Sequence, residues 1–156
     1  MLKFLRLFYK FYWIIIFCIG SMNVNAQMTI GGSTAILPNN CYQLTSAANA
    51  LSGYAYESQS IDLNNAFDYS FAVNLGNNDA GADGIMFVLR PSLDPSQLIA
   101  GGTGGDIGFT GTGLQNGSIG IEIDTYQNGE YGDPSFDHIG IHKNASANHN
   151  LPTSLI

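Results

Sequence analysis

The sequence predicts an all-β protein, and specifically a β-sandwich. Three observations carry that expectation. Short stretches of alternating apolar and polar residues recur every eight to twelve residues or so, with turn-forming Gly, Asn, Asp and Pro between them. No window of eleven or more residues after the first 26 repeats with the 3.6-residue period of an amphipathic helix. Charged residues make up only 11% and glycine 19 of 156, a composition poor in the long polar side chains that favour helices. Hydrophobic residues reach 45%, too many for a disordered chain.

The first 26 residues read as a targeting segment. Lys3, Arg6 and Lys10 give a positive start, residues 11–19 form an apolar run, and Val24-Asn25-Ala26 supplies a small-residue cleavage site. That is the pattern of a secretory signal peptide over 1–26. The run is short of the roughly 20 residues that span a bilayer, and no second run of spanning length follows. Bulky Phe17 before Cys18 is unlike a lipoprotein site. The expectation is therefore a secreted or cell-surface protein with no membrane span after removal of the signal. Beyond the leader, Arg90 and Lys143 are the only Lys or Arg residues set against twelve carboxylates. A nucleic-acid binder needs a basic footprint, and this chain has none.

Residues 27–40 carry Gly-Gly, Pro and Asn-Asn and read as a lead-in. The domain is expected over 41–156. Cys41, a lone cysteine, reads as a small buried hydrophobe. Residues 53–57 alternate. Residues 66–74 alternate with Phe67, Tyr69, Phe71 and Val73 on one face. Residues 85–89 form a continuous apolar run, as for a strand covered on both sides. Residues 118–124 and 138–142 alternate strictly. Between those last two strands lie thirteen residues, Thr125 to Asp137, long for a hairpin; loops of that kind are usually functional.

The last two strands hold the chemistry. Ile119, Ile121 and Ile123 share one face, expected to meet the core, while Gly120, Glu122 and Asp124 share the other. The two carboxylates are then about 6.6 Å apart along the strand. Ile139 and Ile141 likewise face the core, with His138, Gly140 and His142 opposite. Pairing of the strands brings His138 beside Glu122 and Asp124, and the loop adds Asn128 and Asp133. Unpaired carboxylates in such a cluster repel and desolvate badly, and a divalent cation removes that cost. Carboxylates with one imidazole suit a transition metal such as manganese. Carboxylates, an amide oxygen and a backbone carbonyl suit calcium. The residues alone leave a solvated acidic loop with a structural histidine as the alternative.

The segment from Ile121 to Ile141, IEIDTYQNGEYGDPSFDHIGI, resembles without a gap the manganese–calcium loop of the L-type (legume-like) lectins. The resemblance implies a concanavalin A-like jelly-roll β-sandwich. It implies that Glu122 and His138 bind Mn2+ or another divalent transition metal, and that Asp124 and Asp133 bridge both ions. Tyr126 would give Ca2+ its backbone carbonyl and Asn128 its side-chain oxygen. Residues 82–89, ADGIMFVL, resemble the family's Ala-Asp-Gly strand, where the Ala–Asp peptide is cis and the aspartate accepts sugar hydroxyls; here that residue is Asp83. The run GGTGGDIGF from Gly101 to Phe109 resembles the glycine-rich loop whose backbone N–H reaches the sugar, with Gly105 at the matching position. Asn128 would touch sugar as well as calcium, and the Tyr126 ring would stack on the pyranose.

The resemblance is closest to bacterial secreted members. It covers about residues 41–156 and stops inside the family's domain, so the domain is expected to be truncated at its C-terminal side, in a longer chain with room for further domains. The function implied is carbohydrate binding, with a saccharide or glycoconjugate as partner. The alternative is a glycoside hydrolase on the same jelly roll, whose strand reads Glu-x-Asp-x-x-Glu. A retaining hydrolase needs a second carboxylate about 5–5.5 Å from the first. Gln127 and Asn128 stand where it would fall, so no enzyme is expected.

Overall fold

The computed structural model describes residues 28–91, 100–111, 114 and 117–156. The expected leader lies outside them. Among the described residues, seven strands form three antiparallel sheets: β1 (Met28–Gly32), β2 (Ala35–Leu37), β3 (Cys41–Gln43), β4 (Gly53–Glu57), β5 (Gly84–Leu89), β6 (Ile119–Asp124) and β7 (His138–Lys143). The helical content among the described residues is two short 3-10 turns, Gly104–Asp106 and Gly129–Tyr131. No described helix is long and apolar enough to cross a membrane.

The segment read as a lead-in is built into sheets. β1 pairs with β4 from Met28↔Glu57 to Gly32↔Gly53. β2 and β3 form a hairpin through Pro38, Asn39 and Asn40. Asn39 and Asn40 both take the left-handed conformation, at φ 61° and 57°, which asparagine tolerates better than most residues. Polar turn residues mark this hairpin, while the partner of β1 lies 25 residues away and leaves no local trace. Cys41 is exposed, contrary to expectation: β3 pairs with β2 in a two-stranded sheet and with no other described strand.

The central sheet has the order β5-β6-β7. Across β6 and β7, Gly120 faces His142, Glu122 faces Gly140 and Asp124 faces His138. Across β5 and β6, Met86 faces Glu122 and Gly84 faces Asp124. One face of this sheet therefore carries Ile85, Phe87 and Leu89 with the isoleucines. The other carries the carboxylates and imidazoles.

The burial of the two faces is the reverse of the sequence expectation. Ile119 and Ile139 are 44% and 65% exposed, whereas Glu122, Asp124 and His142 are essentially sealed. The polar face is covered by loops. Phe109, fully buried, lies under Gly120, and residues 144–150 fold back over β7. Ala145 N–H donates to Ser118 Oγ at 3.2 Å and Ala147 N–H to Thr110 Oγ1 at 3.1 Å, fixing that return. Alternation separates two faces but does not say which one the loops cover.

Residues 66–74, expected as a strand, make no ladder with a described strand. They cross the apolar face instead. The Phe71 ring stacks on Phe87 with centroids 5.1 Å apart, and Tyr69 stands 5.6 Å from Phe87. Tyr69 Oη also donates to Glu57 Oε2 at 2.9 Å, linking β4 to the central sheet. Period-two patterning registers this one-sided apolar packing whether or not backbone pairing accompanies it. Beyond β7, Lys143 N–H donates to Thr153 O and Leu155 N–H to Ile141 O, so the last residues run alongside β7.

Candidate functional site

The covered polar face of β6 and β7 is the floor of the site, and three loops are its walls. Strand register puts Glu122, Asp124 and His138 together. Their ligand-capable atoms all lie within 4.8 Å of one another. Asp133, from the loop between the strands, joins His138 and His149 in a second such group, and Glu122, His142 and His149 form a third. Thus every charged residue expected at a metal is in one place, and two histidines not expected there are with them.

The histidines converge on a single atom. Glu122 Oε2 is 2.8 Å from His142 Nε2, 2.9 Å from His149 Nε2 and 3.5 Å from His138 Nε2. Gly140, opposite Glu122, makes the room: a β-carbon there would stand 2.6 Å from both Glu122 Oε2 and His142 Nε2. Burial raises the Glu122 pKa, but the hydrogen bonds and charges of His142 and His149 outweigh it and hold the carboxyl below its ordinary value. The parity of β7 already put His142 on this face. His149 comes from a loop, where no periodicity applies.

Asp124 has the opposite balance. Burial pushes its carboxyl up to about 6, reinforced by the Glu122 and Asp133 charges and opposed by the Tyr126 N–H and His138. The Tyr126 N–H donates to Asp124 Oδ1 at 2.7 Å, and the Asn128 N–H to Asp133 Oδ2 at 2.7 Å. These bonds wrap the loop around its own acids and aim Asn128 toward the neighbouring loop. The Tyr126 side chain, 49% exposed, stands at the rim.

The Ala82–Asp83 peptide is cis, as the resemblance implied. Asp83 O accepts from Thr125 N–H at 2.9 Å and from Thr125 Oγ1 at 3.1 Å, so the start of β5 is clamped to the end of β6. Burial raises the Asp83 pKa, a hydrogen bond from Asn128 lowers it, and the Asp133 charge raises it, with a net upward shift. Asn128 therefore spends its amide N–H on Asp83. Its Oδ1 is buried and has no hydrogen-bond partner among the described residues. Gly105 closes the group: a β-carbon there would stand 2.8 Å from Asn128 Cγ and 2.9 Å from Oδ1. Asp83, Asn128 and Gly105 thus come together from three segments that are far apart in sequence.

The glycine-rich loop is well tied. Gly101 N–H donates to Gly108 O, Gly108 N–H to Gly102 O, and Phe109 N–H to Asp106 O. Asp106 Oδ1 accepts from Tyr131 Oη at 2.7 Å. Neither Asp106 nor Tyr131 stands in a motif that marks it in the sequence, and no spacing rule links residues 25 apart on two loops.

These features define a class: an all-β domain whose acidic loop, glycine-rich loop and cis Ala–Asp turn meet over a carboxylate–imidazole cluster. Residues 19–154 match the legume lectin β-barrel domain family, and the chain belongs to that family. Among its relatives is a galactose-binding lectin of Arachis hypogaea, 43% identical over 65 residues, which are 41% of this chain and 23% of that protein. A second is a putative L-type lectin-domain containing receptor kinase I.10 of Arabidopsis thaliana, 27% identical over 76% of this chain and 20% of its own length. A third is a lectin of Leucomphalos mildbraedii, 29% identical over 58% of this chain and 38% of its own. The chain thus spans well under two thirds of each of these relatives.

Proposed function

We propose that this chain forms part of a carbohydrate-binding domain that recognises a saccharide or glycoconjugate without cleaving it, at a site ordered by Ca2+ and a transition metal. The observation that carries the reading is the buried, unpartnered Asn128 Oδ1 beside Asp83 and Gly105. A buried acceptor without a donor costs roughly 1–3 kcal/mol, and a hard cation such as calcium satisfies it. The donor set fits both ions. Glu122, Asp124, Asp133 and His138 would hold the transition metal, Mn2+ or a similar ion. Asp124, Asp133, Asn128 Oδ1 and the Tyr126 carbonyl would hold Ca2+.

When bound, the ions would supply the positive charge that lets these three acids and an amide face one another in a fixed arrangement. The protein's own groups do the recognition. Asp83 would accept from sugar hydroxyls, the Gly105 N–H would donate to one, Asn128 would hold both sugar and calcium, and the half-exposed Tyr126 ring would pack on the sugar's apolar face. The absence of a glutamate at Gln127 and Asn128 favours binding over hydrolysis. The leader pattern of residues 1–26 favours export to the medium or the cell surface, and relatives that are receptor kinases favour a longer chain with further domains.

The test is calorimetry of galactose and mannose on the full chain with Ca2+ and Mn2+, and again after chelation. Galactose is the sugar that the Arachis relative's name prints. Binding that needs the ions, with no oligosaccharide turnover, supports the reading. Binding that survives chelation, or turnover lost in Glu122→Gln, defeats it.

A further inference from the structure

We infer that His149 is an additional ligand of the transition-metal site, giving that site two imidazoles and a preference for a zinc-type ion over manganese. The inference rests on the proposed function only for the presence of a divalent ion at Glu122 and His138.

His149 lies outside the segment whose resemblance supplied the ligand set, on the loop after β7. Its backbone is pinned, with its N–H donating to Tyr131 O at 2.8 Å. Its side chain is only 14% exposed and turns inward. Its Nε2 is 2.9 Å from Glu122 Oε2, 3.2 Å from His138 Nε2 and 3.8 Å from Asp133 Oδ1. Two imidazole nitrogens facing one another at that distance among carboxylates are arranged as co-ligands are. Donors bound to zinc at about 2.05 Å in a tetrahedral array stand about 3.3 Å apart. The rings stand edge-on, centroids 5.0 Å apart and planes at 62°.

His142 has a different part. Its Nε2 shares a ligand group with Glu122 and His149 alone, whereas His138 and His149 also group with Asp133. Fully buried, His142 reaches Glu122 Oε2 at 2.8 Å and serves as a positioning residue that orients the carboxylate. Adding an imidazole to a carboxylate site raises affinity for Zn2+, Co2+, Ni2+ and Cu2+ more than for Mn2+, which favours oxygen.

The test uses the full chain, titrated by competition calorimetry with Zn2+ alone and with Mn2+ alone, in wild type, His149→Gln and His142→Gln. Loss of a ligand should weaken Zn2+ by about tenfold or more in His149→Gln while Mn2+ moves by less than about threefold. Pulsed electron paramagnetic resonance with Cu2+ as probe should count two coordinated imidazoles in wild type, one in His149→Gln and two in His142→Gln. The wild-type count stands even if a variant fails to fold. One imidazole in wild type, or equal losses of both ions, overturns the inference. If wild type binds Mn2+ through a single imidazole, His149 alone is refuted and the proposed function stands. If it binds neither ion, both fall.

Discussion

The Tyr131 hydroxyl donates to Asp106 Oδ1 at 2.7 Å, and through it the acidic loop holds the glycine-rich loop in place. The bond also shows in the tyrosine's acidity, which the Asp106 contact and then burial push to about 12. Because Tyr131 O accepts from His149 N–H as well, one residue joins all three loops around the site. A hydrogen bond to a charged acceptor contributes about 1.5–3 kcal/mol, and this half-buried one belongs at the low end. Tyr131→Phe should therefore lower stability by about 1.5 kcal/mol in denaturant melts followed by circular dichroism, and should weaken sugar binding. Unchanged values for both would show that the loops hold without the contact.

Gly105 is the second test of loop geometry. A methyl group there has no room beside the Asn128 amide. Overpacking costs roughly 1–3 kcal/mol, and the cheapest relief is for Asn128 to swing away from Asp83. Gly105→Ala should weaken sugar binding by about tenfold or more with little change in transition-metal affinity, since the Glu122–His138 cluster lies on the strands. Equal loss of metal and sugar would mean that the loop supports the whole site.

The metal-free chain should be sensitive to pH in an unusual direction. The Asp124 pKa is raised to about 6 in the fold, from an ordinary value of 3.8. A carboxyl with a raised folded pKa binds more protons folded than unfolded, so stability falls as pH rises through 4 to 6. Glu122, held below its ordinary value of 4.5, acts the other way, but its window lies below that value. Between about pH 4.5 and 6, chelated protein should melt at higher temperature as the pH is lowered. Added divalent cation should reverse the trend by favouring the ionised acids. A clearly shallower slope in Asp124→Asn, with the raised Asp83 carboxyl supplying what remains, checks the assignment; the full wild-type slope persisting there would contradict it.

The strands of the central sheet were legible because β6 and β7 alternate strictly, and the acids and His138 followed from their register. What alternation cannot give is the identity of the buried side. Ile119 and Ile139 are exposed and Glu122 is sealed because loops cover the polar face. Contacts between distant loops, such as Tyr131 with Asp106 and His149 with Glu122, leave no periodic signal either. The aromatic alternation of residues 66–74 was real, yet it reports packing against Phe87 rather than a described ladder. β1 is not legible for a related reason: its partner β4 is distant, and Gly31 and Gly32 look like loop residues.

The two kinds of acid in the site should separate by mutation. Asp124 groups with Glu122 and His138, is sealed from solvent, and is wrapped by the Tyr126 N–H. Asp83, half-buried just before β5, is hydrogen-bonded to Asn128. Asp124→Asn removes an anionic ligand shared by both proposed ions, so metal and sugar binding should be lost together. Asp83→Asn keeps the shape but replaces one acceptor oxygen with a donor. A sugar hydroxyl then faces the wrong partner, at a cost of roughly 1–3 kcal/mol, or about one to two decades in affinity. Calcium binding should survive, because Asp83 is not among the proposed ligands and meets them only through the Asn128 hydrogen bond and the Asp133 charge. Calorimetry of Ca2+ and of glycan on wild type and both variants checks this. Sugar binding by Asp83→Asn at wild-type strength would remove Asp83 from the recognition site. Retained metal in Asp124→Asn would remove Asp124 from the ions.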